Sequence, residues 1–134
     1  MYLLDTNICI YIINKKPKIA VAKIKKHKPH EIKLSAVSIG ELEYGAAKSS
    51  NREKNRNALI QFASAFDILP FDDTDAEIYG LIRADLEKRG EIIGPYDMQI
   101  AAQAIARDLI LVTNNTKEFE RIPNMRIENW IIPR

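Results

Sequence analysis

Short apolar segments alternate with longer helical stretches along all 134 residues. That alternation predicts an α/β domain, a parallel sheet flanked by helices on both faces. Size and composition agree. The chain is one domain's worth (1–134), with 46% hydrophobic and 28% charged residues, which excludes a disordered chain and a membrane-spanning one. A domain this long buries roughly two thirds of the surface its unfolded chain exposes, so neither disulfides nor a structural metal is needed to hold it. Repeats, low-complexity tracts and Gly/Ser/Pro linkers are all absent from the sequence.

The elements follow in order. Tyr2 to Leu4 reads as a strand, and Asp5-Thr6-Asn7 as the start of a helix reaching Ile13. Lys16-Pro17 punctuates, and a basic helix follows over about 18–28, with His27 and His30 around Pro29 at its end. Ile32 to Ala36 reads as a strand, after which Ser38 opens a helix to Lys48 and Asn51 another to Phe66. Ile68 to Phe71 reads as a third strand. Asp72 to Asp75 cap a helix that Gly90 ends. Gly94-Pro95 opens an Ala-rich helix to Arg107, and Leu109 to Thr113 is a buried strand. Thr116 to Arg121 is a helical turn, and Met125 to Ile131 a last edge strand.

Charge is segregated. Residues 1–66 carry 12 Lys and Arg against 5 Asp and Glu, residues 67–97 carry 3 against 9, and the net of the whole chain is +2. The total excludes a globally basic nucleic-acid binder. A basic first half still suits polyanion contact on one surface, or simply solvated helix faces. Cys9 is alone in an apolar run, so it reads as a buried inert thiol in a reducing compartment. The opening residues lack a signal-peptide pattern, and the longest apolar runs fall far short of the ~20 residues a membrane helix needs; the expectation is a cytoplasmic protein.

In parallel sheets, ligands sit outside the carboxyl ends of the strands. Asp5 follows the first strand and Asn114-Asn115 the Leu109–Thr113 strand. Asp97 lies in the first turn of the Ala-rich helix, and Glu41 early in the helix after the second strand. Each has a bland role available. Asp5 fits an N-cap, Ser38 with Glu41 an S-x-x-E capping box, Asp97 a helix-dipole partner, and the asparagines a turn. Facing argues against the blandest version. Asp97 heads the apolar stripe of Ile100, Ala101 and Ala104, and Glu41 lies a turn from Val37 and Tyr44-Gly45. A buried carboxylate costs several kcal/mol unless paired or cation-bound. No Lys or Arg lies within a helical turn of these acids. Oxygen-only ligands favour Mg²⁺, with Mn²⁺ as a substitute, over Zn²⁺.

The same residues carry a resemblance. Leu4-Asp5-Thr6-Asn7, Glu41-Leu42-Glu43-Tyr44-Gly45, the segment Ile93 to Ala102 around Asp97, and Thr113-Asn114-Asn115 with Glu118-Phe119 stand in the order of four PIN-domain motifs. The chain resembles PIN-domain ribonucleases, in particular VapC-type toxins of toxin–antitoxin pairs, from residue 1 to about Trp130. The resemblance implies a metal-dependent endoribonuclease in which Asp5, Glu41 and Asp97 are catalytic and hold Mg²⁺, Asp5 and Asp97 foremost. The fourth acidic position of relatives falls on Asn115, an amide here, and Glu118 or Glu120 is the substitute on offer. Thr113 and Asn7 are candidates for supporting the ligands. The resemblance also implies RNA as substrate, tRNA first, together with a homodimer and a cognate antitoxin that covers the site. With no Cys or Ser nucleophile beside a base, the attacking group is a metal-activated water.

The alternative is a non-catalytic PIN-like RNA-binding or adaptor protein, which predicts lost acids, whereas three are intact. An aspartyl-phosphatase reading wants Asp-x-Asp where Asp5-Thr6-Asn7 stands. A receiver domain wants paired acids at the first strand and a lysine after the last; neither is present.

Overall fold

The computed structural model describes residues 1–132. Five parallel strands form one sheet in the order β3-β2-β1-β4-β5. They are β1 (Tyr2–Leu4), β2 (Ile32–Ser35), β3 (Asp67–Leu69), β4 (Ile110–Val112) and β5 (Ile127–Glu128). The helices are α1 (Thr6–Ile13), α2 (Lys18–Lys25), α3 (Ala36–Lys48), α4 (Arg52–Ala63), α5 (Asp73–Lys88), α6 (Pro95–Ala106) and α7 (Thr116–Phe119). Among the described residues, no helix is long and apolar enough to cross a membrane.

Alternation along the central strands builds two cores. Leu3 and Leu111 pack on one face with Ile82 and Leu86 of α5 and Met98 and Ile100 of α6. Leu4 and Val112 point the other way, to Ile8, Cys9, Leu34 and Trp130. Strands buried on both faces read as unbroken apolar runs, which is why β1 and β4 were legible. The Cys9 thiol is buried, and burial foremost, with the Asp5 charge second, pushes its pKa up. His27 packs between Tyr2 and Trp130, with ring centroids 4.6 and 5.1 Å away.

Several boundaries shift for local reasons. The helix after β2 begins at Ala36, not Ser38, because the Ser35 hydroxyl caps it by accepting the Val37 N–H at 3.0 Å. The Ser38–Glu41 capping box is therefore overturned. Ser38 is at the third helical position and fully buried, and Glu41 is well inside the helix. β3 stops at Leu69, since Pro70 has no N–H to donate. α2 ends at Lys25, α4 at Ala63, and the last strand contracts to two residues. Gly90, at φ +68°, closes α5 as its position predicted.

The acidic segment before α5 is more than a solvated cap. Asp72 and Asp75 form a reciprocal capping box, each side chain accepting the other's backbone N–H at 3.0 and 2.9 Å. Asp75 is fully buried, and Arg107 at the end of α6 reaches it at 2.5 Å and Asp72 at 3.3 Å. This cluster ties the start of α5 to the end of α6. Arg107→Met leaves Asp75 buried without its cation, so urea denaturation is expected to show a loss of about 2–4 kcal/mol in unfolding free energy. A change under about 0.5 kcal/mol would show that the ion pair contributes nothing beyond its helix cap.

Candidate active site

The strand order reverses at β1, whose neighbours β2 and β4 lead to opposite edges of the sheet. A crevice opens at such a switch point, outside the carboxyl ends of the strands. Asp5 is the first residue there. Its backbone N–H continues the ladder to Val112 at 3.0 Å, and its side chain is only 4% exposed. Oδ1 accepts the Ile8 N–H at 2.9 Å, so Asp5 does cap α1. Oδ2 accepts the Thr113 hydroxyl at 2.5 Å, across the switch point from the end of β4. The Thr113 oxygen in turn accepts the Asn115 N–H at 2.9 Å. Asp5 is thus held on both oxygens, and Thr113 is its positioning partner.

Glu41 comes to the same place from α3. Its Oε1 accepts the Thr6 hydroxyl at 2.7 Å, and Thr6 also lies 3.0 Å from the buried Ser38 hydroxyl. These two hydroxyls fix α3 against the start of α1. Asp97 sits in the first turn of α6 and bends back over its N-terminus, since a Cβ on Gly94 would be 3.5 Å from Oδ2. Glu118, on α7, is half-buried and close enough to raise Asp97 electrostatically. Glu120 is exposed and takes no such part. Asn115 caps α7 by position and offers its backbone to Thr113. Asn7 is exposed, and its backbone N–H faces Asp5.

The electrostatics follow from this convergence. Burial raises the Asp5 carboxyl above the usual range; hydrogen bonds from Thr113 and Ile8 oppose the rise without cancelling it, and Glu41 adds to it. Asp97 is pushed up to about 6, first by desolvation and then by the charges of Asp5, Glu118 and Glu41. None of the ion pairs among the described residues includes any of these four acids. Among the described residues, no cation pairs with that charge. All the donors are hard oxygens, the set that suits a small divalent cation. Among the described residues, no three His, Cys, Asp or Glu side chains are gathered into a cage of their own. A cation that keeps most of its waters and takes one or two carboxylates directly needs no such cage.

Glu41 stands between two clefts. One is lined by Thr6, Asn7, Asn14, Leu42, Lys54 and Asn55, the other by Val37, Gly40, Tyr44, Tyr96 and Gln99. Sequence reasoning missed Thr6 and Ser38 as supports of Glu41. Thr6 sits inside the Asp5-Thr6-Asn7 motif, but nothing local announces a partner 35 residues away.

The PIN domain family model matches residues 2–125. The chain is similar to ribonuclease VapC2 of Rickettsia felis, 44% identical over 97% of this chain and 98% of the relative. It is also similar to the tRNA(fMet)-specific endonuclease VapC of Shigella flexneri, 42% identical over 96% and 97%. Among solved structures, it resembles VapBC2 from Rickettsia felis bound to a DNA fragment from their promoter, with TM-score 0.90, 44% identity and 96% and 98% of the two chains covered. DNA-bound VapBC from Salmonella typhimurium matches with TM-score 0.91, 41% identity and 96% and 97% coverage.

Because the folded-state carboxyl of Asp97 lies above its ordinary 3.8, protonation favours the fold. That contribution is complete below pH 3.8 and is lost as pH rises through about 6. Asp97→Asn removes the penalty at neutral pH. In EDTA at pH 7.5 its thermal midpoint is expected to rise by about 2–4 °C, a figure that allows for solvent screening of a half-exposed group, with little change at pH 3.5. An equal or lower midpoint at pH 7.5 would contradict the repulsion described.

Proposed function

This chain belongs to the PIN-domain family, and from that premise we propose that it is the ribonuclease toxin of a toxin–antitoxin pair. On this reading it is a divalent-metal-dependent endoribonuclease with Asp5, Glu41 and Asp97 as its catalytic carboxylates. The observation that carries the reading is the convergence of these acids, unpaired, at the β1/β4 switch point. The adaptor alternative has no comparable support, since it gives no reason for a near-buried carboxylate held by two hydrogen bonds beside other acids.

The ion of this reading is Mg²⁺, with Mn²⁺ as a substitute; Asp5 and Asp97 would hold it, and Glu41 and Glu118 would contribute directly or through water. When bound, it supplies a water of lowered pKa and neutralises charge building on the scissile phosphate. Thr113 keeps Asp5 in one rotamer, so no reorganisation is needed as charge develops. Thr6 occupies Oε1 of Glu41, leaving Oε2 to accept a proton from the attacking water. Asn115 stands at the fourth acidic position, and Glu118, the acid whose charge reaches Asp97, fills that role in preference to the exposed Glu120.

RNA must approach an acidic centre, so a compensating positive surface is required. Lys33 and Arg56 are engaged with Asp67 and Glu43, at 2.7 and 3.2 Å. The field then falls to the lysines between Lys15 and Lys28, to the exposed Arg52 and to Lys54, which lines the cleft beside Glu41. The name of the Shigella relative makes tRNA the first substrate to try. The VapBC neighbours support an antitoxin partner; a homodimer and a cytoplasmic location complete the proposal.

Asp5→Asn, Glu41→Gln and Asp97→Asn are each expected to lower cleavage of a tRNA substrate about 100-fold or more while leaving the circular dichroism spectrum unchanged. EDTA should stop the unaltered protein, and Mg²⁺ or Mn²⁺ restore it. Cleavage that persists in all three variants, or in EDTA, would overturn the metal-site assignment. Lys54→Ala should weaken RNA binding most at low salt; a salt-independent effect would remove it from the RNA path.

A further inference from the structure

Gln103 is fully buried in α6 and flanked by apolar neighbours, and every polar function of its side chain is used. Oε1 accepts the Ser35 hydroxyl, while Nε2 donates to the carbonyls of Leu69 and Pro70 at 3.2 and 3.1 Å. Ser35 is itself fully buried, ends β2 and caps α3 by accepting the Val37 N–H. One amide therefore joins α6, the first turn of α3 and the carboxyl end of β3. A leucine or methionine would fill the volume with no polar group to satisfy. What a satisfied buried network adds over an apolar side chain is a single geometry.

The geometry it selects is that of the acids. Glu41 lies six residues beyond Ser35 on α3, and Asp97 six residues before Gln103 on α6, each about 9 Å along its helix. The Thr6–Glu41 bond then fixes α3 at its other attachment. Resting on the metal-site reading above, we propose that Gln103 is a positioning residue for the metal centre, its amide clamping the capped start of α3 to α6 and so setting the separation of Glu41 and Asp97. It touches neither substrate nor ion; it acts through the two helices.

The test is Mn²⁺ binding to the full-length metal-free protein, read as free Mn²⁺ by electron paramagnetic resonance, alongside thermal melts. Gln103→Met and Ser35→Ala are expected to weaken Mn²⁺ binding on the order of five- to tenfold, in the direction known for groups that orient ligands from outside. The double variant should be no weaker than Gln103→Met alone. Ile82→Val, which trims the same core without a polar loss, serves as the stability control and should leave the Mn²⁺ Kd unchanged. Should Gln103→Met fail to fold, Ser35→Ala, which deletes a single oxygen, carries the test. A Kd within twofold of the unaltered chain despite a lowered thermal midpoint would make Gln103 a core stabiliser only and overturn the proposal. No Mn²⁺ binding by the unaltered chain would instead overturn the metal-site reading, and this inference with it.

Discussion

A carboxylate almost excluded from water has to be hydrogen-bonded, and the Asp5 contacts are how this fold meets that demand. One oxygen caps α1, and the other takes the Thr113 hydroxyl from the far side of the switch point. Those two bonds make β1, α1 and β4 agree on one position for one side chain. Burial still wins, since the Asp5 carboxyl remains raised despite both bonds. The bonds fix a geometry and offset only part of the cost of the buried charge.

The other acids extend the same constraint. Glu41 is steadied by a hydroxyl on one oxygen, and Asp97 rests over a helix start. No basic side chain among the described residues is spent on either. Elsewhere the protein pairs its buried acid readily, as Asp75 with Arg107 demonstrates. That contrast within one chain separates structural acids from the candidate site. Strain of this kind lowers the stability of the metal-free fold, a cost commonly found where function needs it.

Much of this was legible beforehand, and particular residues say why. The unbroken apolar runs of β1 and β4 reveal a doubly covered sheet; Asp5 stands out at a strand end, Asp97 at a helix start and Glu41 by its apolar helix face, and the structure brings the three towards one place. Asp75 caps α5 as its sequence position predicts, but its burial and its ion pair with Arg107, 32 residues away, have no local signal. Ser35 and Ser38 both precede an apolar helical stretch, and only the β2 ladder decides which residue is the last extended one. Thr6, Ser38 and Gln103 act through tertiary hydrogen bonds that no local pattern encodes. Glu118 and Glu120 are indistinguishable by spacing; the short α7 turns one inward and the other to water.

The central claim is that carboxylates crowded at the switch point await a divalent cation. It is tested most directly by counting the protons released when Mn²⁺ binds, through calorimetry in buffers of different ionisation enthalpy. With Asp97 pushed up to about 6, binding near pH 6 should displace a substantial fraction of a proton, and binding at pH 8 almost none. Binding without proton release at pH 6 would contradict the account.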